Sequence, residues 1–427
     1  MSACLAFIKL LASIYGIGKC ITTYSTTDFL INYQGGFVRR GLVGEIVYQI
    51  RALTGLDPRI FFISLTIISL AFLIYILIIN FRKLHLCWWI LPLNVCFMGA
   101  FPMRKDYLCM ALVALALINL YTASSKITKI LIFNVIISIA ILIHESVFFI
   151  IVPLGTLLLW NIDKSPTCFF KKILYILPIY VTFFLTVIFK GDSETALTIH
   201  RSWNIAELGD TPVATIEALG KTTEYFINFH IEKNFLTKSC HLYGFITKPL
   251  IWIAIFLLIP NILFINKKIN KTEQSSESFN FVSILFFQFC SLFPMLTILS
   301  CDQSRICFYW TITSLLIFFY VPASAISEIL PCWYKKLISS IYQVIFKKYN
   351  KAIACVLLMV TAITPAGTSV PNALKCSLLG NFYRAHHLIL TPFRDAHQSK
   401  TTPNTYTGQP TVPGYTTQEA DKAPHQN

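Results

Sequence analysis

A few short polar stretches interrupt a chain that is otherwise almost continuously apolar, and they hold most of the residues able to do chemistry. The segment GGFVRRGLVGE (35–45) sets Arg39 and Arg40 side by side among four glycines, with Asp28 shortly before them. PMRKD (102–106) crowds Arg104, Lys105 and Asp106 into one corner, and HES (144–146) puts His144 beside Glu145. CDQSR (301–305) spaces Asp302 and Arg305 three apart. Arginine presents a planar fork of donors that suits phosphate or carboxylate. A histidine next to a carboxylate suits general base or proton-relay chemistry, because its pKa is easily moved.

Each stretch also has a plainer reading. Arg39 and Arg40 can snorkel to lipid headgroups or be neutralised by Glu45 and Asp28. Asp302 and Arg305 are close enough on a helix to pair with each other, and any corner between spans needs polar residues. HRSWN (200–204) and the aromatic residues after it offer Trp203 and Tyr243 for stacking on sugar rings, with Asp192, Glu194, Glu207 and Asp210 for hydroxyls. The same composition suits an ordinary interfacial loop.

Val43, Ile46, Val47, Ile50 and Leu53 follow helical spacing, which predicts a short amphipathic helix beginning near Gly41 at the membrane interface. Arg39 and Arg40 then stand at its N-terminus, where the free N–H groups already make the end positive. Two cations there are best tolerated if an anion joins them, and glycines at 35, 36, 41 and 44 allow close backbone approach to a phosphate.

The elements that must hold these residues follow from composition. Of the 427 residues 55% are hydrophobic and 13% charged, and the mean hydropathy is +0.64. A run of roughly 20 apolar residues crosses the hydrocarbon core as a helix. Such runs predict an all-α, polytopic membrane helix bundle of about eleven spans, near 4–23, 60–81, 86–101, 106–121, 129–143, 147–160, 172–189, 246–265, 280–300, 305–322 and 351–370. The transmembrane domain is read as 1–395, with outer loops 24–59 and 190–247, followed by a disordered Thr- and Pro-rich tail, 396–427. The piece 330–351, lysines mixed with aromatics, reads as a helix on the anionic leaflet.

Lysines in short loops place the N-terminus in the cytoplasm. With that orientation Arg82 is the one arginine on the inside, and the polar corners all share the outer face. The net charge of +15 is then a topology signal, so no nucleic-acid partner is expected. The thirteen cysteines include no CxxC pair, so neither a disulfide framework nor a metal site is expected, and no cofactor is called for.

The order of these features resembles bacterial inner-membrane proteins of surface-polysaccharide assembly: the Wzy-type O-antigen and capsule polymerases and the GT-C class glycosyltransferases. The resemblance rests on GGFVRRGLVGE after the first span, RKD at a later outer corner, HES between two spans and a long outer loop. It implies that Asp28, the acid of the first outer loop, acts as base. It implies too that Arg39, Arg40, Arg104 and Arg305 hold a polyprenyl-pyrophosphate-linked sugar.

The expectation is therefore glycosyl transfer at the outer face of the bacterial cytoplasmic membrane, most simply repeat-unit polymerisation. Asp28, His144 and Glu145 are the catalytic candidates, and Arg39, Arg40, Arg104, Lys105, Asp302, Arg305 and Trp203 bind substrate. The expected partners are a polyprenyl-linked oligosaccharide, membrane lipids and other polysaccharide-assembly proteins. Two alternatives stand: an acyltransferase that modifies a glycan with His144 as base, and a transporter or flippase for a lipid-linked or anionic solute.

Overall fold

The computed structural model describes residues 27–80, 105–123, 125–162, 169–203, 214–231, 283–284, 286–295, 299 and 303–346. Every element among them is helical. A 3₁₀ turn, Asp28–Leu30, leads to α1 (Gly41–Thr54), α2 (Pro58–Ile79), α3 (Lys105–Thr122), α4 (Lys126–Ile143) and α5 (Val147–Ile162). Then come α6 (Phe169–Leu174), α7 (Leu177–Ile188), α8 (Ser193–Ser202), α9 (Ala214–Glu217), α10 (Thr223–Ile231), α11 (Gln303–Tyr320), α12 (Ala323–Ile329) and α13 (Cys332–Phe346).

Among the described residues α2, α3 and α4 are long and apolar enough to cross a membrane. α11 with α12 makes a fourth if the pair, bent by 113°, is one span. α5 and α7 are shorter apolar helices. Of the expected spans, 4–23, 86–101, 246–265 and 351–370 lie outside the described residues, and 280–300 is described only in part. So do Arg104, Asp302, Glu207, Asp210, Tyr243 and the tail 396–427.

Proline explains two departures from the expected spans. The run 172–189 is divided between α6 and α7, and Pro178, which has no N–H to give, stands in the first turn of α7. The run 305–322 stops at Pro322, which caps α12 and turns the chain. α13 occupies most of the expected amphipathic piece 330–351.

α3 is the central helix and packs against α2, α4 and α11. It is less apolar than α2 yet more enclosed, as expected when the most hydrophobic helix faces lipid and the helix with small residues faces protein. Ala111, Ala114 and Ala116 are buried along it, and such small residues let neighbouring backbones approach. On α4, Ile127, Leu131, Val135 and Ile139 form an exposed stripe at four-residue spacing, the pattern of a lipid-facing edge.

The helix directions bring the polar residues together. α3, α5 and α11 begin, and α4 ends, at the same end of the bundle as α1. At the other end Asn80, following α2, donates to the Tyr320 hydroxyl at 3.3 Å. Lys126 and Lys172 also sit there, against Tyr175 and Trp160.

α1 begins at Gly41, as the spacing predicts, and ends at Gly55, whose N–H returns to the Arg51 carbonyl at 2.8 Å. The glycines before and within it, however, make their close approaches to protein. A Cβ on Gly44 would stand 1.9 Å from the Ile31 carbonyl oxygen, and one on Gly41 would stand 2.3 Å from the Tyr33 ring. One on Gly35 would meet the Thr195 carbonyl oxygen at 2.8 Å. These three glycines let α1 lie on the 29–33 backbone and let the 33–36 turn touch α8, so their close contacts bring chain to chain.

The stretch 190–231, expected as a loop, contains α8, α9 and α10. Ala196 and Ile199 bury one side of α8, and its start is capped by Asp192, which accepts from Thr195 N–H at 2.8 Å. Asp192 thus serves a helix end. This region covers the segment before α1: Thr27 and Thr215 hydroxyls meet at 2.6 Å, and Asn32 Nδ2 donates to Ser202 Oγ at 2.8 Å. Trp203, expected to stack on sugar, is only 3% exposed. Its Nε1 donates to the Leu30 carbonyl at 2.7 Å, and its ring meets Tyr48 edge to face. It braces the fold and keeps no face open to a saccharide.

Candidate active site

Asp28, Arg39, Arg40, Lys105, Asp106, His144, Glu145 and Arg305 come from four polar stretches and meet at one end of the bundle. Four cations face three carboxylates. Arg40 is the hub. Its Nε donates to Glu145 Oε2 at 2.8 Å and Oε1 at 3.0 Å, and its Nη2 also reaches Oε1. Its Nη1 stands 3.6 Å from Asp28 Oδ1.

The backbone makes this reach possible. Arg40 caps α1 in the left-handed region, with φ 65° and ψ 5°, and among the described residues no other non-glycine residue has positive φ. That conformation costs about 1 kcal/mol. It is held by the guanidinium on Glu145 and by the Arg40 carbonyl, which accepts from Lys105 Nζ at 2.8 Å. Arg39, just before it, is anchored through its N–H to the Phe189 carbonyl at 2.9 Å. Its guanidinium lies 3.8 Å from Glu145 Oε1 and over the Phe226 ring.

Lys105 begins α3 with its side chain fully enclosed. Its Nζ lies 3.6 Å from Asp28 Oδ2 and over the Phe29 ring. The next residue, Asp106, accepts from Arg305 Nε at 2.7 Å on Oδ1, and Arg305 Nη2 pairs with the same oxygen at 2.7 Å. Asp302, read as a pairing partner or a fellow ligand for Arg305, lies outside the described residues; among them Arg305 crosses to α3, and its Nη2 also approaches His144 Nε2 at 2.7 Å. Glu45, expected as a neutraliser of the arginines, accepts from Tyr33 N–H at 2.9 Å and from Gln34 and Gln49.

His144 closes α4, and the His144, Glu145 and Ser146 carbonyls receive the first N–H groups of α5, so the three-residue break HES joins two helices without losing that backbone pairing. Burial, with Arg40 and Arg305 adding to it, pushes the His144 pKa well below 6.5 and keeps the ring neutral. Burial alone would raise Glu145, but Arg40, His144 and Arg39 hold it well below 4.5. Both groups bind fewer protons in the folded protein than in the unfolded chain, so acid destabilises the fold.

The thermal midpoint of the purified protein is therefore expected to be level above about pH 7 and to fall as pH drops below the ordinary histidine value of 6.5. A second, steeper fall is expected below 4.5, where the unfolded chain's glutamates take up protons. His144→Asn should remove the first phase alone. A midpoint that is flat from pH 7 to 5 in the parent protein contradicts this assignment.

The three carboxylates differ in what engages them. Glu145 is gripped by Arg40, and Asp106 by Arg305. Among the described residues Asp28 is held by ion pairs at 3.6 Å, and its buried Oδ1 accepts no hydrogen bond there. No group of three or more His, Cys, Asp or Glu arranged to hold a metal occurs among the described residues. Cys109, Cys290 and Cys332 are free thiols.

A helix bundle with membrane-crossing helices and a charged cluster gathered at one end defines an integral membrane protein. The chain belongs to the family described as uncharacterised membrane protein Rv1490, whose model matches residues 3–248, more than half its length. That region includes every site residue named above apart from Asp302 and Arg305. No curated protein and no solved structure gives a significant match.

Proposed function

We propose that this protein transfers a glycosyl group from a polyprenyl-(pyro)phosphate carrier, most simply to polymerise saccharide repeat units at the outer face of the bacterial inner membrane. The observation that carries the reading is the gathering of Arg39, Arg40, Lys105 and Arg305 at one end of the bundle, where Arg40 and Lys105 stand 3.6 Å from a carboxylate, Asp28, that accepts no hydrogen bond on Oδ1 among the described residues. The cation excess suits a donor phosphate. The proposed topology is the eleven-span bundle with a cytoplasmic N-terminus, which the lysine-bearing loops favour, and it follows the resemblance to Wzy-type and GT-C proteins.

The acceptor hydroxyl oxygen bonds to the anomeric carbon as the bond from that carbon to the phosphate oxygen breaks. The electron pair leaves on the carrier phosphate, where arginine donors offset the growing charge. The hydroxyl proton passes to Asp28. Glu145 is a weak base because its neighbours keep it ionised, and His144 has its Nε2 lone pair turned to Arg305. Both therefore act as positioning residues, and the acyl-transfer reading loses its base.

The test replaces Arg39, Arg40 and Arg305 by Ala one at a time and measures polysaccharide chain length in cells. Short chains with single repeat units left on the carrier are expected, most severely for Arg40→Ala. Full-length polymer from every variant sinks the reading. One observation favours transport instead: α11 carries enclosed Thr311, Thr313 and Ser314 beyond Arg305. A transporter would strand lipid-linked units on the cytoplasmic side.

A further inference from the structure

Glu145 sits as a phosphate would sit. Both its oxygens occupy the Arg40 fork, with Arg39 Nη1 3.8 Å from Oε1. A carboxylate and a phosphate offer a guanidinium the same pair of acceptor oxygens. The seat is also the open part of the cluster: the side chains of Arg39, Arg40 and Glu145 are 25%, 20% and 19% exposed, whereas that of Lys105 is sealed and that of Asp28 nearly so.

A second seat for the carboxylate lies next door. His144 Nδ1 is 3.7 Å from Glu145 Oε2. Arg305 can only donate, so His144 Nε2, 2.7 Å from Nη2, accepts. The neutral ring then carries its proton on Nδ1. The Ser146 N–H, 3.2 Å from Nδ1, also points a donor there, so two donors meet and an acceptor is wanted between them.

We propose that Glu145 is a resident substitute for the substrate's phosphate. It fills the Arg39–Arg40 seat in the empty protein and moves to the His144 Nδ1–H and Ser146 N–H when a phosphate or pyrophosphate takes its place. The proposal rests on reading the cluster as a phosphate site and adds how that site is kept closed. Substrate binding must displace an internal competitor, which disfavours weaker anions and holds the buried charges paired while the site is empty.

The full chain in lipid nanodiscs is titrated with inorganic pyrophosphate and, separately, with a short-chain polyprenyl pyrophosphate. Glu145→Gln keeps an acceptor for Arg40 but removes the competing charge, and is expected to bind about ten-fold more tightly. Glu145→Asp, whose shorter arm reaches Arg40 less well, should shift affinity the same way and serves if the first variant fails to fold. His144→Phe removes the second seat; it should weaken binding in the parent protein and have no effect when added to Glu145→Gln.

A gain with both probes identifies the phosphate itself as the ligand group, and a gain with the lipid probe alone identifies a carrier-borne phosphate; both uphold the proposal. Unchanged or weaker binding by the Glu145 variants overturns it. Absence of glycosyl transfer by the parent protein, with the affinity gain intact in the variants, would count against the transferase reading only.

Discussion

Asp28→Asn is expected to lower glycosyl transfer by about 10²- to 10⁴-fold, the usual contribution of a positioned general base, while leaving donor affinity nearly unchanged. Asn has the shape of Asp but cannot take up the acceptor's proton. In the proposed mechanism the donor phosphate meets the arginines, and Asp28 has no part in that contact. Its two oxygens lie 3.6 Å from Arg40 Nη1 and Lys105 Nζ, outside hydrogen-bonding distance. Lys105 keeps its bond to the Arg40 carbonyl in the variant, so the enclosed cation retains a partner. The check is turnover and donor binding measured on the same preparation. A fall in affinity equal to the fall in turnover would make Asp28 part of the anion seat, and unchanged turnover would remove it from the mechanism.

Gly44→Ala is expected to cost about 3 kcal/mol or more, well beyond a typical surface change. The added methyl would stand 1.9 Å from the Ile31 carbonyl oxygen and 2.7 Å from that of Phe29. Both are backbone atoms, so no side chain can turn aside. α1 must lift from the 29–31 segment, and Arg40 at its cap leaves Glu145. Gly36→Ala separates space from backbone conformation: nothing lies within 4 Å of its added methyl, but its φ of +100° remains. That variant should lose only about 1–2 kcal/mol. Thermal midpoints of the two variants in one detergent decide the matter, and a Gly44 variant as stable as the Gly36 variant contradicts the packing account.

The parts of this fold legible in the sequence are those set by local pattern. The spacing of Val43, Val47 and their neighbours placed α1, and His144 with its two neighbours marked the break between α4 and α5. The helix ends at Pro178 and Pro322 were written in the sequence too, though apolar length alone hid them. What pattern could not supply was partnership across the chain. Arg305 bonds to Asp106, 199 positions away, and Arg40 bonds to Glu145, 105 positions away, by way of helix directions that no short window contains.

Gly44 illustrates the same limit. Its type announced a close approach, but a glycine does not say whether phosphate or carbonyl will fill the space. Trp203 likewise advertised an aromatic surface, and the hydrogen bond that turns it inward goes to Leu30, 173 positions earlier. The signals available for α8 were the Asp192 cap and Ala196 with Ile199 three apart, too brief to distinguish from loop.

The most direct measurement is reconstitution of the purified full-length protein in liposomes with polyprenyl-pyrophosphate-linked repeat units, with the lipid fraction followed by mass spectrometry. The account predicts longer saccharides on the carrier, release of unloaded polyprenyl pyrophosphate in step with them, and loss of both in Asp28→Asn and Arg40→Ala. Lipid-linked units that stay the same length and only change leaflet would contradict it.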